Sequence, residues 1–350
     1  MPSAPQLEVT RYAVDEIAHY YDSSTGDLIA STGNVFRAEL QGRTYRFTVP
    51  LHMKYGLARR VRLSRRLLRL DKSNAVFNHA RDGIVVLYRG LIYFFDLNTE
   101  QLREVGRLKQ CRNVLHCGIA VTSEHIVLGE YGVNPERDAV PVWQSSDDGR
   151  SWSVVHEFEA GAIRHIHGIY TDPHSDSLWI PTGDFSGECY VFEVRDSAFN
   201  EVVRHGNGEQ RWRPVSMFFD PDKIVWAMDS ELQTSCLQVF DRASGELQEM
   251  RGFEGPVWFS KRFEDGSAVL QTTVEVGEGV KSNCSHLHYS EDLINWVEVA
   301  RYPKDRWPMP YFKSGVIAFA AGPQTRDDFV FFGEALSGID GRVAHGRIAL

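Results

Sequence analysis

Near the middle of the chain, Arg164-His165-Ile166-His167 sets two imidazoles two residues apart beside a guanidinium. In an extended strand that spacing puts both rings on one face, where they can ligate a metal or hydrogen-bond a single ligand. Arg112 and Arg213 recur at comparable places to either side, and with Arg164 they could clamp a carboxylate in forked geometry. His116 stands four residues after Arg112. Acids follow apolar stretches at Glu130, Asp184 and Asp229, and two of them at the right separation would serve a glycosidase. An eliminating enzyme would need a base such as His167 or Tyr131, and a cation such as Arg164 to neutralise a uronate. No cofactor is expected from these residues, apart from a divalent metal at His165 and His167.

The elements that must position these side chains come from a repeat of about 45 to 50 residues. Each unit reads as an apolar strand, a tight polar turn, a second strand, a longer loop and two further strands. The clearest begins at Arg164, with an inner strand over 165–170, the turn Asp172-Pro173-His174-Ser175, and strands over 178–182, 189–194 and 201–205. The next repeats it around Asp220-Pro221-Asp222. Tyr20-Tyr21-Asp22 with Gly26-Asp27-Leu28 matches the same turn and opens a unit at the start of the chain. The pattern predicts an all-β chain, one β-propeller domain over 1–350 with seven four-stranded blades, six being the alternative count. The last unit lacks an outer strand after Arg347, so 7–12 is expected to pair beside it and remove an open sheet edge. In such blades the first strand begins and the second ends on one rim. Arg112, His116, Arg164, His165, His167 and Arg213 would therefore meet Glu130, Tyr131, Asp184 and Asp229 at the channel mouth.

Ser145-x-Asp147-x-Gly149-x-Ser151-Trp152 resembles the Asp-box, or BNR repeat, of sialidase-like propellers, and Ser290, Asp292 and Trp296 form a shortened copy. The aspartate can accept backbone N–H groups within a hairpin, the glycine supplies positive φ, and the tryptophan packs between sheets. The resemblance implies a propeller whose box residues are structural and lie on the face away from the active site. It also implies a carbohydrate-active enzyme, a glycoside hydrolase before a polysaccharide lyase. A non-catalytic propeller binding a glycan or a protein is the third reading. The Arg-Ile-Pro segment of true sialidases is missing near the start.

A net charge of -9 argues against a general nucleic-acid binder, because neutralising phosphates needs a basic surface. An anionic carbohydrate is the expected partner. No apolar run is long enough to span a bilayer, the first residues lack the pattern of a signal peptide, and a cytoplasmic location is expected. The five cysteines are scattered with no CxxC pair, which points to buried free thiols. One segment breaks the repeat: 51–72 carries Arg59, Arg60, Arg62, Arg65, Arg66 and Arg69 between leucines and reads as a basic insertion joining the first two blades. Its stripe suits a solvated face paired with local acids, or else an anionic polymer.

Overall fold

The computed structural model describes residues 4–116 and 118–350. Its strands form seven four-stranded antiparallel sheets, the blades of a seven-bladed β-propeller. Gln6–Val14 pairs with the last strand, Arg342–Ala349, in the register Leu7 to Ile348 and Tyr12 to Ala344. The N-terminal strand thus supplies the outer edge of a blade whose other strands are Val316–Phe319, Phe329–Glu334 and Arg342–Ala349. Every other blade is built from consecutive strands.

The chain divides into two compact units, 1–71 with 224–350, and 72–223. Within the second, the third blade comprises Ile119–Val121, Ile126–Gly129, Val140–Ser145 and Ser153–Phe158. The fourth comprises Tyr170–Thr171, Leu178–Pro181, Cys189–Val194 and Val202–Gly208. Alternation along these strands sends Val127, Val140, Val142, Phe158 and Ile180 into one buried cluster, joined by Ile166 and Ile169 of the segment between the blades, which cements the two blades face to face. Burying each such side chain contributes about 1.5–3 kcal/mol.

The matching turns have matching bonds. Asp172 N–H donates to Ser177 O at 2.9 Å, and Asp22 N–H donates to Asp27 O at 2.9 Å. Each aspartate then caps its own turn, accepting from the N–H two residues on. At the hairpin 145–152, Asp147 accepts from Ser145 Oγ, Ser151 N–H and Ser151 Oγ at 2.6 to 2.8 Å. Gly149 there has φ +96°, a conformation costly for any residue with a Cβ. Register pairs Ser145 with Ile126 and Val142 with Gly129, so this turn and Glu130 sit at opposite ends of the same strand pair.

The basic segment is a pair of short 3-10 turns, Met53–Tyr55 and Ala58–Arg60, followed by a helix at Arg62–Leu67. Arg62, Arg65 and Arg66 turn inward within the first unit, while Arg59, Arg60 and Arg69 stay exposed. Arg65, 2% exposed, donates through Nε to Asp71 Oδ1 at 2.8 Å and pairs with Asp15. Arg62 donates to Asp71 Oδ2 at 2.7 Å, and Arg66 to Asp305 Oδ2 at 2.7 Å and Phe312 O at 2.8 Å. Asp340 lies 3.3 Å from both Arg62 and Arg66.

The thiols depart in part from expectation. Cys111 and Cys189 are buried and free, with burial pushing each thiol up to about 12. Cys236 and Cys284 are free but only half-buried, because they open strands near the sheet margins, and Cys117 lies outside the described residues. No helix among the described residues is long and apolar enough to cross a membrane.

Candidate functional site

The predicted inner strand over 165–170 is largely replaced by extended backbone that zigzags between two blades. Ile166 N–H donates to Glu130 O at 3.0 Å in the third blade, while His167 N–H donates to Pro181 O at 2.9 Å in the fourth. Only Tyr170–Thr171 remains regular strand, with one isolated bridge from Ile166 to Thr182. Ile166 points into the apolar cluster, so the residues on either side of it, His165 and His167, share the opposite face. Gly129 makes this approach feasible, since a Cβ there would lie 2.5 to 2.8 Å from the Ile166 side chain.

Both imidazoles are nearly inaccessible, at 3% and 1%. His165 Nδ1 lies 2.6 Å from Gly132 O and His167 Nδ1 lies 2.8 Å from Pro214 O. A carbonyl oxygen only accepts, so Nδ1 of each ring carries the proton. Both Nε2 atoms then face Asp184 Oδ1 at 3.4 Å. Arg164 Nη1 donates to Asp184 Oδ2 at 2.6 Å, and Arg213 Nη2 reaches Oδ1 at 3.0 Å. Gln210 and Arg213 hold the Asp184 carbonyl at 2.9 Å each, fixing the backbone that carries the carboxylate. Burial alone would raise Asp184, but its basic neighbours hold it far below the usual carboxylate range. Burial pushes His165 down, with Asp184 only partly opposing.

Beside this cluster opens a cavity of about 620 Å³, lined among others by Lys72, Arg112, Tyr131, Arg164, His165 and Asp184. The Tyr131 ring centre lies 4.3 Å from that of His165 and 6.3 Å from that of His167, and Lys72 Nζ stands 5.4 Å from it on the cavity side. Arg112 is exposed at the cavity wall and makes no ion pair among the described residues.

The sequence-derived set therefore divides. Arg112, Tyr131, Arg164, His165, His167, Asp184 and Arg213 come together at or directly behind this cavity. Glu130 is close by in sequence but is 1% exposed and does not line the cavity. Its Oε1 accepts from Lys109 N–H at 2.6 Å and Trp143 Nε1 at 2.8 Å, and its Oε2 from Gln110 N–H at 2.6 Å and Cys111 N–H at 3.0 Å. Two donors on each oxygen make it a loop anchor. His116 is half-buried and is not among the lining residues. Asp229 belongs to the other compact unit, where it accepts from Trp258 Nε1 at 2.8 Å. Lys72 and Gln210 were not singled out from sequence. Lys72 directly precedes an inner strand, Ser73–Phe77, so the rule that strand openings share a rim could have found it.

No family model matches the chain, and no curated protein matches it in sequence. Among solved structures, a chain of the mitotic checkpoint complex aligns with TM-score 0.57 and 9% identity, covering 97% of this chain and 94% of that one. The GH74 xyloglucanase from Xanthomonas campestris aligns with TM-score 0.58 and 13% identity, covering 95% of this chain and 52% of the enzyme, so the present chain spans about half of that protein's length. At such identities the likeness is one of fold, and the fold these neighbours share with this chain is the propeller.

Proposed function

We propose that this propeller is carbohydrate-active and takes a carboxylate-bearing sugar in the cavity beside Tyr131. The observation that carries the reading is the concentration of Lys72, Arg112 and Arg164 around one cavity in a chain of net charge -9. Guanidiniums bind carboxylates through paired hydrogen bonds, and an aromatic ring beside them offers a face to a sugar. The likeness to a xyloglucanase supports carbohydrate chemistry in general and says nothing about the charge of the sugar.

Elimination suits these side chains better than hydrolysis. A glycosidase needs one carboxyl group held protonated at neutral pH to serve as acid. Glu130 has both oxygens occupied, and Asp184 is held far below the range in which it could donate. Elimination from a uronate needs cations on the carboxylate and a base for the proton at C5. Arg112 and Arg164 would supply the first and Tyr131 the second. Acting as the phenolate, Tyr131 takes the C5 proton, the C4–O bond breaks as the C4–C5 double bond forms, and the departing oxygen takes a proton from water, whose hydroxide restores the phenolate. Mixing the protein with uronate oligosaccharides and following ultraviolet absorbance of the unsaturated product tests this directly. Tyr131→Phe should abolish turnover while retaining affinity. Release of a saturated reducing end would instead establish hydrolysis, and binding without either product would establish a lectin-like module.

A further inference from the structure

We propose that His165 Nε2, His167 Nε2 and Asp184 Oδ1 form a three-ligand site for a divalent transition metal, zinc or its cobalt substitute, with a fourth position open to the cavity. This inference does not depend on the sugar reading. Its first support is the orientation of the rings. Each donates Nδ1–H to a backbone carbonyl, Gly132 O at 2.6 Å and Pro214 O at 2.8 Å, which leaves Nε2 of the neutral ring as a bare lone pair. That outer hydrogen bond is the arrangement that fixes the tautomer of metal-bound histidines.

Spacing is the second support. Both Nε2 atoms stand 3.4 Å from Asp184 Oδ1. Ligands about 2.1 Å from a tetrahedral ion are separated by about 3.4 Å, whereas a good N–H···O bond is about 2.9 Å long. The three donor atoms all lie within 4.8 Å of one another. Third, His165 Nε2 is buried and has no hydrogen-bond partner among the described residues, an arrangement that is costly unless something binds it. Two imidazoles and one carboxylate are a catalytic-type donor set for zinc, in which a water or substrate atom completes the shell.

The arginines shape the site as well. Arg164 on Oδ2 at 2.6 Å and Arg213 on Oδ1 at 3.0 Å aim the carboxylate, and Gln210 and Arg213 brace its backbone. Their positive charge also opposes a cation, so affinity should fall below that of structural zinc sites. His165 and Asp184 line the cavity, so the open position faces it and would meet an anionic oxygen of a bound ligand.

The test uses the full chain, stripped with a chelator and titrated with cobalt(II) alone. The expected result is one equivalent bound with the intense visible absorption of a tetrahedral ion, displaced by zinc. His165→Gln and His167→Gln should each weaken binding about 100-fold or more, while circular dichroism confirms the fold. If either variant fails to fold, anomalous diffraction from wild-type crystals grown with zinc decides the matter. A peak among the two Nε2 atoms and Oδ1 supports the site. No cobalt uptake, uptake unchanged in folded variants, or an anomalous peak elsewhere overturns it.

Discussion

Two arginine clusters in this chain share a composition and differ in balance. In the segment after the first blade, Arg62, Arg65 and Arg66 meet Asp15, Asp71, Asp305 and Asp340, so four carboxylates answer these three guanidiniums. Around the fourth blade Arg164, Arg213, His165 and His167 all face Asp184. The first arrangement satisfies itself and needs no ligand. The second sets Arg164 with Lys72 and Arg112 around a cavity, where solvent or an anion can compensate their charge. Counting arginines in sequence would have ranked the two in the wrong order; counting their partners separates them.

Breaking the balanced cluster should produce the largest effect. Asp71→Ala leaves Arg62 and Arg65 without their shared carboxylate and Gly33 N–H without its acceptor, and removing one partner of such a buried pair costs about 3–5 kcal/mol. Denaturant unfolding should show that loss, with uronate affinity of the folded protein unchanged. A drop in affinity would mean the segment takes part in binding.

Next in size is Gly129→Ala. The added methyl must displace Ile166, and overpacking of this kind costs about 1–3 kcal/mol. Because Ile166 sets the facing of His165 and His167, affinity or turnover should fall along with stability, whereas Asp71→Ala affects stability only. Equal behaviour of the two variants would erase the distinction between the clusters.

Arg112→Ala should do the reverse. The side chain is exposed and makes no ion pair among the described residues, so stability should stay within about 0.5 kcal/mol. Affinity for a uronate should weaken by about 1–3 kcal/mol, the cost of a lost charged hydrogen bond. A calorimetric titration alongside a melting curve reads both.

The smallest effect concerns acid. Asp292 is held down to about 2, where burial works against the carboxylate and N–H donors from Asn295 and Ile294 more than offset it. Its folded pKa is depressed, so its contribution is present above about pH 4 and is lost as pH falls toward 2. The group is mostly solvent-exposed, and the contribution is correspondingly small. Asp292→Ala should therefore lower stability slightly at pH 7, leave it unchanged near pH 2 and so flatten the acid limb of the curve.

The repeat was legible because turn chemistry is local. Asp22 and Asp172 close the same hairpin with the same bonds, and one strand missing after Arg347 implied a partner that Gln6–Val14 supplies. The meeting of Arg164, His165, His167 and Asp184 was also legible, since it follows from which strand ends share a rim. The role of Glu130 was not. Nothing in Gly-Glu-Tyr-Gly reveals that the loop 109–111 folds back to give the carboxylate three N–H donors. Nor could the pairing of Arg65 with Asp71 be separated from a solvated stripe without knowing which way the short helix faces.

The central claim, that the unbalanced cluster marks a site for a carboxylate-bearing sugar, is tested most directly by calorimetric titration of the full chain with a uronate oligosaccharide and its neutral counterpart at low and high salt. The account predicts saturable binding of the uronate alone, weakened by salt as screening of the exposed Arg112 requires. Equal binding of both sugars, or none of either, would contradict it.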